Sequence, residues 1–230
     1  MLLKVVRYSR EAALSQAPLL LGEWGPATNI SADDDPSKQT RYTRVYEATA
    51  NEADRRGIGM IKAWFCGSRT PLKSKMRKEP FTWAIFSDTN AVGHVERKYI
   101  TGALVRPRPL AVAGHLERYG FDFVTRILEV SLRPDAKLGS TEIFVAAERF
   151  YPEGFRVEVG SGLTLVLKPG AAQLSLLNGA DKINREQALL VQWDAGSQHL
   201  VIKKWIVKSP SLTVKISPLL EVINRKDTNE

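Results

Sequence analysis

From residue 127 onward this chain alternates between apolar and polar residues, and no other feature narrows its fold as far. Ile127-Leu-Glu-Val-Ser-Leu132, Thr141-Glu-Ile-Phe-Val145, Phe155-Arg-Val-Glu-Val159 and Leu163-Thr-Leu-Val-Leu167 open the series. Gln173-Leu-Ser-Leu-Leu177, Leu189-Leu-Val-Gln-Trp193, His199-Leu-Val-Ile-Lys203 and Leu212-Thr-Val-Lys-Ile216 complete it. A period of two puts alternate side chains on opposite faces, so each segment is a strand with one face toward a core. Short strands recurring roughly every ten residues predict an antiparallel β-sandwich.

The first half of the chain follows a different rule. Pro18-Leu-Leu-Leu-Gly-Glu-Trp-Gly25 holds three leucines without alternation. That pattern predicts a strand over 19–22 buried on both faces, as in a parallel sheet. Gly22 and Gly25 allow the backbone to turn, and Glu23 stands between them where the strand surfaces. Residues 2–15 predict a helix leading into this strand. Asp35 before Pro36 is a helix start, because Asp caps and Pro is tolerated in the first turn. Asp33 and Asp34 precede it without the spacing of a calcium loop, and complement the positive end of the helix. That helix is expected to reach Arg56, with Tyr42, Val45, Tyr46, Thr49 and Ala53 on one face and Gly57 as its stop. Ile58-Gly-Met-Ile-Lys-Ala-Trp-Phe-Cys66 then reads as a second buried strand with Trp64 near its end. Strand, helix and strand make a βαβ unit. A further helix is expected over 95–104. The pattern reads as if entered in the middle of a β/α repeat.

Between the halves lies Arg106-Pro-Arg-Pro-Leu-Ala-Val-Ala-Gly114, whose two prolines stiffen the chain and mark a boundary. The expected organisation is α/β for 1–104, all-β for 105–224 and a disordered tail at 225–230. Charge divides along the same line. The formal net charge is +8, and residues 1–110 hold 18 Lys and Arg against 11 Asp and Glu, while residues 111–230 hold 15 against 14. Five basic residues crowd into Arg69-Thr-Pro-Leu-Lys-Ser-Lys-Met-Arg-Lys78. This run reads first as a solvated loop, and as a contact surface it suits an anionic membrane. No helix-turn-helix, zinc-finger or RNA-binding motif accompanies it, so nucleic acid is not the expected partner. One cysteine, Cys66, excludes an internal disulfide and a Cys-based zinc site. His94, His115 and His199 are too scattered for metal-ligand spacing, and no metal is expected. No apolar run approaches membrane-spanning length, and the first ten residues are too broken for a secretory signal.

Several of these stretches carry a resemblance. Leu19-Leu-Leu-Gly-Glu-Trp-Gly25 resembles the nucleophile-bearing segment of glycoside hydrolase family 5, the (β/α)8-barrel retaining enzymes. Residues 106–114 are similar to the Arg-Pro-Tyr-Pro-x-x-(Val/Ile)-Ala-Gly link between barrel and C-terminal domain in the endoglycoceramidase and glycosylceramidase branch. This chain departs from it at Arg108, where the family usually shows Tyr. Thr141-Glu-Ile-Phe and Phe150-Tyr-Pro-Glu-Gly154 resemble the branch's sandwich segment, and Glu79-Pro-Phe-Thr-Trp-Ala-Ile-Phe-Ser-Asp88 its closing barrel stretch. The resemblance runs from about residue 15 to 205. It implies a partial (β/α)8 barrel remnant, the C-terminal portion of a longer hydrolase, followed by an antiparallel sandwich.

It also implies a chemistry. A retaining glycosidase uses one carboxylate as nucleophile and a second carboxyl group as acid and base, about 5–5.5 Å apart. Glu23 matches the nucleophile. Trp64 matches the tryptophan beneath the sugar, and Trp24 beside Glu23 is taken as a second substrate-binding residue. The substrate implied is a glycolipid, a glycosylceramide or a steryl glucoside, or an oligosaccharide, and no cofactor is required. The family's acid/base Glu lies in an Asn-Glu-Pro motif that this sequence lacks. Asn51-Glu52 is followed by Ala and falls inside the expected helix. The chain is therefore expected to be inactive alone, its missing strands supplied by a longer parent or by a separate chain. The alternative is a non-catalytic sandwich that binds glycan, lipid or a partner protein.

Overall fold

The computed structural model describes residues 2–22, 24–25, 35–61, 85–89, 93–135, 137–160, 163–170, 173–178, 188–205 and 210–219. The chain divides into two compact units, Met1–Arg106 and Pro107–Glu230.

The first unit opens with α1 (Leu2–Leu14), β1 (Leu20–Leu21), α2 (Pro36–Arg55) and β2 (Gly59–Met60). The Asp35 side chain accepts from the Lys38 N–H at 3.0 Å, and Pro36 follows it, so α2 starts where cap chemistry directs. The helix ends at Arg56, whose N–H bonds back to Ala53 O, and Gly57 takes a left-handed φ of 65°. β1 and β2 pair in parallel, Leu20 opposite Gly59 and Leu21 opposite Met60. Leu19, Leu21 and Met60 pack on Val5, Ala53 and Ile58. Leu20 does not fit the expected two-faced burial. It is 58% exposed, because the described sheet is two strands wide and no described residues form a layer over its second face. Val45 also turns outward, whereas Tyr46, Thr49, Ala50 and Ala53 are buried.

The end of this unit corrects the sequence reading. The expected helix over 95–104 is shorter, α3 (Lys98–Leu104), and residues before it form the strand β4 (Gly93–Glu96). β4 pairs antiparallel with β3 (Phe86–Thr89). Val95 and Glu96 are claimed by this hairpin, since a ladder across two strands satisfies their backbone before the helix begins. Thr101 Oγ donates to the Glu96 carboxylate just ahead of α3. Tyr99, Ile100 and Ala103 of α3 are buried, and the Thr43 hydroxyl of α2 donates to Tyr99 O at 3.1 Å.

The second unit is the sandwich. Its strands are β5 (Arg108–Ala111), β6 (Gly114–Asp122), β7 (Ile127–Pro134), β8 (Thr141–Phe144), β9 (Phe155–Val159) and β10 (Leu163–Leu167). They continue with β11 (Gln173–Asn178), β12 (Ala188–Asp194), β13 (His199–Trp205) and β14 (Leu212–Pro218). A single helical turn, α4 (Ala147–Phe150), follows β8. One sheet has the order β10-β9-β14-β7-β6 and the other β11-β12-β13-β8-β5, all neighbours antiparallel. Leu128, Val130 and Leu132 of β7 stand opposite Ile216, Val214 and Leu212 of β14. They share one buried core with Ile143, Val191, Trp193, Leu200 and Ile202 of the other sheet. Phe155 meets Trp193 edge-on across the two sheets, ring centroids 5.0 Å apart.

All eight alternating segments are strands. Two more were not legible. β5 lies in the proline-marked boundary, where Pro109 is tolerated because β5 is an edge strand and lacks one neighbour. β6 escapes a period-two reading because its register shifts between Leu116 and Arg118, which moves Leu116, Tyr119 and Phe121 out of a single alternation. Two hairpins, β6–β7 and β12–β13, turn by the same device. Asp122 accepts from the Val124 and Thr125 N–H groups, and Asp194 from those of Gly196 and Ser197. Each loop closes on a left-handed residue, Arg126 at φ 56° and Gln198 at φ 57°. The buried Tyr151 hydroxyl donates to Arg126 O at 2.9 Å and pins the first of these turns.

Candidate active site

In the first unit the chain leaves β1 and β2 at the same end. The Ile61 N–H donates to Leu21 O at 2.9 Å, continuing the parallel ladder one step past Met60. Gly22 follows β1 with open space where a Cβ would stand. In sequence, Glu23 comes two residues after Leu21 and Trp64 four after Met60. Glu23, Trp64, Cys66, the basic run 69–78, the stretch 79–84 and the tail 225–230 lie outside the described residues.

Trp24 is described, and it is core. The side chain is 3% exposed, and its ring meets Tyr46 of α2 edge-on at 5.4 Å and 65°. Its indole N–H has no hydrogen-bond acceptor among the described residues, a deficit of about 1–3 kcal/mol for a buried donor. Packing therefore holds the ring. Tyr46 is 1% exposed, and burial pushes its phenol well above the ordinary tyrosine range, partly offset by the positive charge of Arg97. On the same helix Tyr42 tilts against Tyr99 of α3, centroids 6.3 Å apart. Helical spacing puts Tyr46 on the same face of α2 as Tyr42, Thr49 and Ala53 but assigns it no neighbour. No local signal joins it to Trp24, because the contact spans twenty-two residues.

The carboxylates of α2 have structural partners. Glu52 accepts from both Arg55 and Arg56, at 2.7 and 2.5 Å, and these hydrogen bonds hold its carboxyl down at about 2. A group so far below neutrality does not donate a proton to a leaving oxygen, which agrees with its position inside a helix. Asp54 faces Arg106 in a buried two-point pair, with Nε to Oδ2 at 2.7 Å and Nη2 to Oδ1 at 2.5 Å. Burial raises the Glu47 carboxyl, with Arg44 opposing. Among the described residues no group of three or more His, Cys, Asp or Glu is arranged to hold a metal, and no helix is long and apolar enough to cross a membrane.

In the boundary stretch Arg106 and Arg108 do different work. Arg106 is the cation of the buried pair. Arg108, at the position where the resembled family carries Tyr, lies over the Phe144 ring with its guanidinium carbon 5.2 Å from the centroid.

Residues 106–216 match the sequence profile of the glycoside hydrolase family 5 C-terminal domain. The matched residues run from the start of the sandwich into its last strand, β14. Two solved structures share its fold together with that of the first unit. Endo-glycoceramidase II from Rhodococcus sp., in its cellobiose-like imidazole complex, superposes with a TM-score of 0.52 at 21% identity, over 91% of this chain and 35% of that one. Cryptococcus neoformans sterylglucosidase 1 gives 0.53 at 13% identity, over 91% of this chain and 31% of the other. At these identities the likeness is one of fold. The chain spans about a third of the length of the structures it matches. No curated protein sequence matches it.

Proposed function

We propose that this chain carries the nucleophile end of a retaining β-glycosidase that hydrolyses glycosylated lipids, joined to a family 5 C-terminal domain. The observation that supports it is the shared exit of β1 and β2, with Glu23 and Trp64 in the segments that follow. In this reading a Glu23 carboxylate oxygen attacks the anomeric carbon and forms a glycosyl-enzyme. The aglycone oxygen leaves with the bonding electrons and takes a proton from a second carboxylic acid. Water activated by that second group then releases the sugar. Trp64 lies beneath the sugar, its ring face packed on the C–H face of the pyranose. The two fold relatives, an endo-glycoceramidase and a sterylglucosidase, make glycosylceramide and steryl glucoside the first substrates to try.

The acid/base group has no counterpart among the described residues, where the Asn51-Glu52 pair places Glu52 under two arginines. Turnover in this reading needs strands supplied by a longer polypeptide or a second chain. The sandwich as a non-catalytic binding module is the second reading, and its self-contained core favours a domain that folds alone. On the outer face of the β10-β9-β14 sheet, however, Thr164, Glu158 and Lys215 stand in one row, and Arg156 in the next. These side chains offer hydrogen bonds and no ring for sugar stacking.

The test begins with the protein at its native size, captured from its source cells with an antibody to residues 110–220. A species much heavier than 25.6 kDa that hydrolyses fluorescent glucosylceramide or steryl glucoside supports the proposal. A dinitrophenyl β-glucoside with fluorine in place of the hydroxyl beside the anomeric carbon then labels the nucleophile. Label on the peptide containing Glu23 is the expected result. An active protein labelled elsewhere, or none active at any size, overturns it.

A further inference from the structure

We infer that Trp24 is a positioning residue for Glu23, held in place by Tyr46, and does not itself stack on the sugar. The inference rests on the proposed role of Glu23. Trp24 directly follows that residue in the sequence, so one peptide bond couples their backbones. A ring that is 3% exposed offers no face to a ligand. Its N–H meets no acceptor among the described residues, so the contact that orients the indole is the edge-on approach to Tyr46 at 5.4 Å. Tyr46 is fully buried on the twenty-residue helix α2. That helix is tied to α3 through Thr43 and Tyr99 O, and its Asp54 to Arg106 beyond α3. Two residues on the other side of Glu23, Leu21 O accepts from the Ile61 N–H. The described chain is thus held at Leu21 by a strand hydrogen bond and at Trp24 by an indole packed against α2. A carboxylate displaced by about 1 Å from the anomeric carbon loses on the order of a hundredfold in rate.

The test uses the protein at its native length and the fluorinated dinitrophenyl glucoside. In the trapping step a Glu23 oxygen forms the bond to the anomeric carbon and dinitrophenolate departs with the electron pair, so no acid catalyst is needed. Two quantities are read, the first-order labelling rate at saturating glucoside and the fraction of protein finally labelled. Trp24→Phe and Tyr46→Leu are each expected to slow labelling roughly ten- to a hundredfold while the final fraction stays near that of the unaltered protein. Tyr46→Phe keeps the ring edge and is expected to restore the rate to within about twofold. A fall in the labelled fraction with an unchanged rate means that Trp24 only supports folding, and overturns the inference. So does an unchanged rate in both variants, or an equal loss in Tyr46→Phe. If the unaltered protein takes no label at Glu23, the proposed function itself fails.

Discussion

Replacing Asp54 by Ala removes one half of the most buried ion pair described in the first unit. The Asp54 and Arg106 side chains are 1% and 5% exposed, and the guanidinium meets the carboxylate at two points, 2.7 and 2.5 Å. Removing the anion leaves the guanidinium buried without its carboxylate, while the long bond from Nη1 to Ala103 O at 3.5 Å remains. Breaking a pair of this kind costs about 3–5 kcal/mol, mostly the penalty of the orphaned charge. That is roughly two to three and a half powers of ten in the opening equilibrium. Asp54→Asn keeps one acceptor oxygen and is expected to lose about half as much. Amide hydrogen exchange read by peptide mass is the assay. Protection should fall in α2 and α3 and stay unchanged in β7 and β14 of the sandwich, which serve as the internal control. The double variant Asp54→Leu with Arg106→Met removes both charges and should regain most of the loss. Unchanged exchange in α2 after Asp54→Ala, or no recovery in the double variant, refutes the reasoning.

Three further outcomes follow from the same structure. Gly114 has φ of 147°, and a Cβ there would stand 2.0 Å from Arg133 O, so Gly114→Ala should destabilise the sandwich by about 3 kcal/mol or more, visible as a lower midpoint in urea. Tyr151→Phe loses the bond to Arg126 O beneath a left-handed residue and should cost about 1 kcal/mol in the same assay, with the fold retained. Glu52 has its carboxyl lowered from 4.5 to about 2 by Arg55 and Arg56. The unfolded chain therefore binds the extra proton first as the pH falls, so this stabilisation is complete above about pH 4.5 and lost on descending to about 2. The difference in urea midpoint between the unaltered protein and Glu52→Gln should shrink across that window.

Much of this fold was legible because its signals are local. The eight alternating segments gave strands with bounds close to those observed, since a half-buried strand writes its face into every second residue. Asp35-Pro36 and Gly57 framed α2 because a cap and a left-handed stop need particular residues at particular places. Val95 falls where the sequence predicts helix, because its four-residue hairpin partner lies several residues back and no short period records that pairing. Of the proposed site, the segment bearing Glu23 is singled out by its resemblance alone, whereas the packing of Trp24 against Tyr46 has no trace in either segment alone.

The sequence by itself determined that one half of the chain alternates and the other does not, and hence that a β/α unit precedes a sandwich. Tertiary structure alone decided the order β10-β9-β14-β7-β6, the recruitment of the proline stretch as β5, and the choice of Arg106 as partner for Asp54. The reason is physical. Periodicity reports which face of an element meets a core, but the core does not record which element supplies the opposite wall. That choice is made by shape, by ladder hydrogen bonds and by burial of opposite charges across fifty or more residues, and it exists only once the chain has closed on itself.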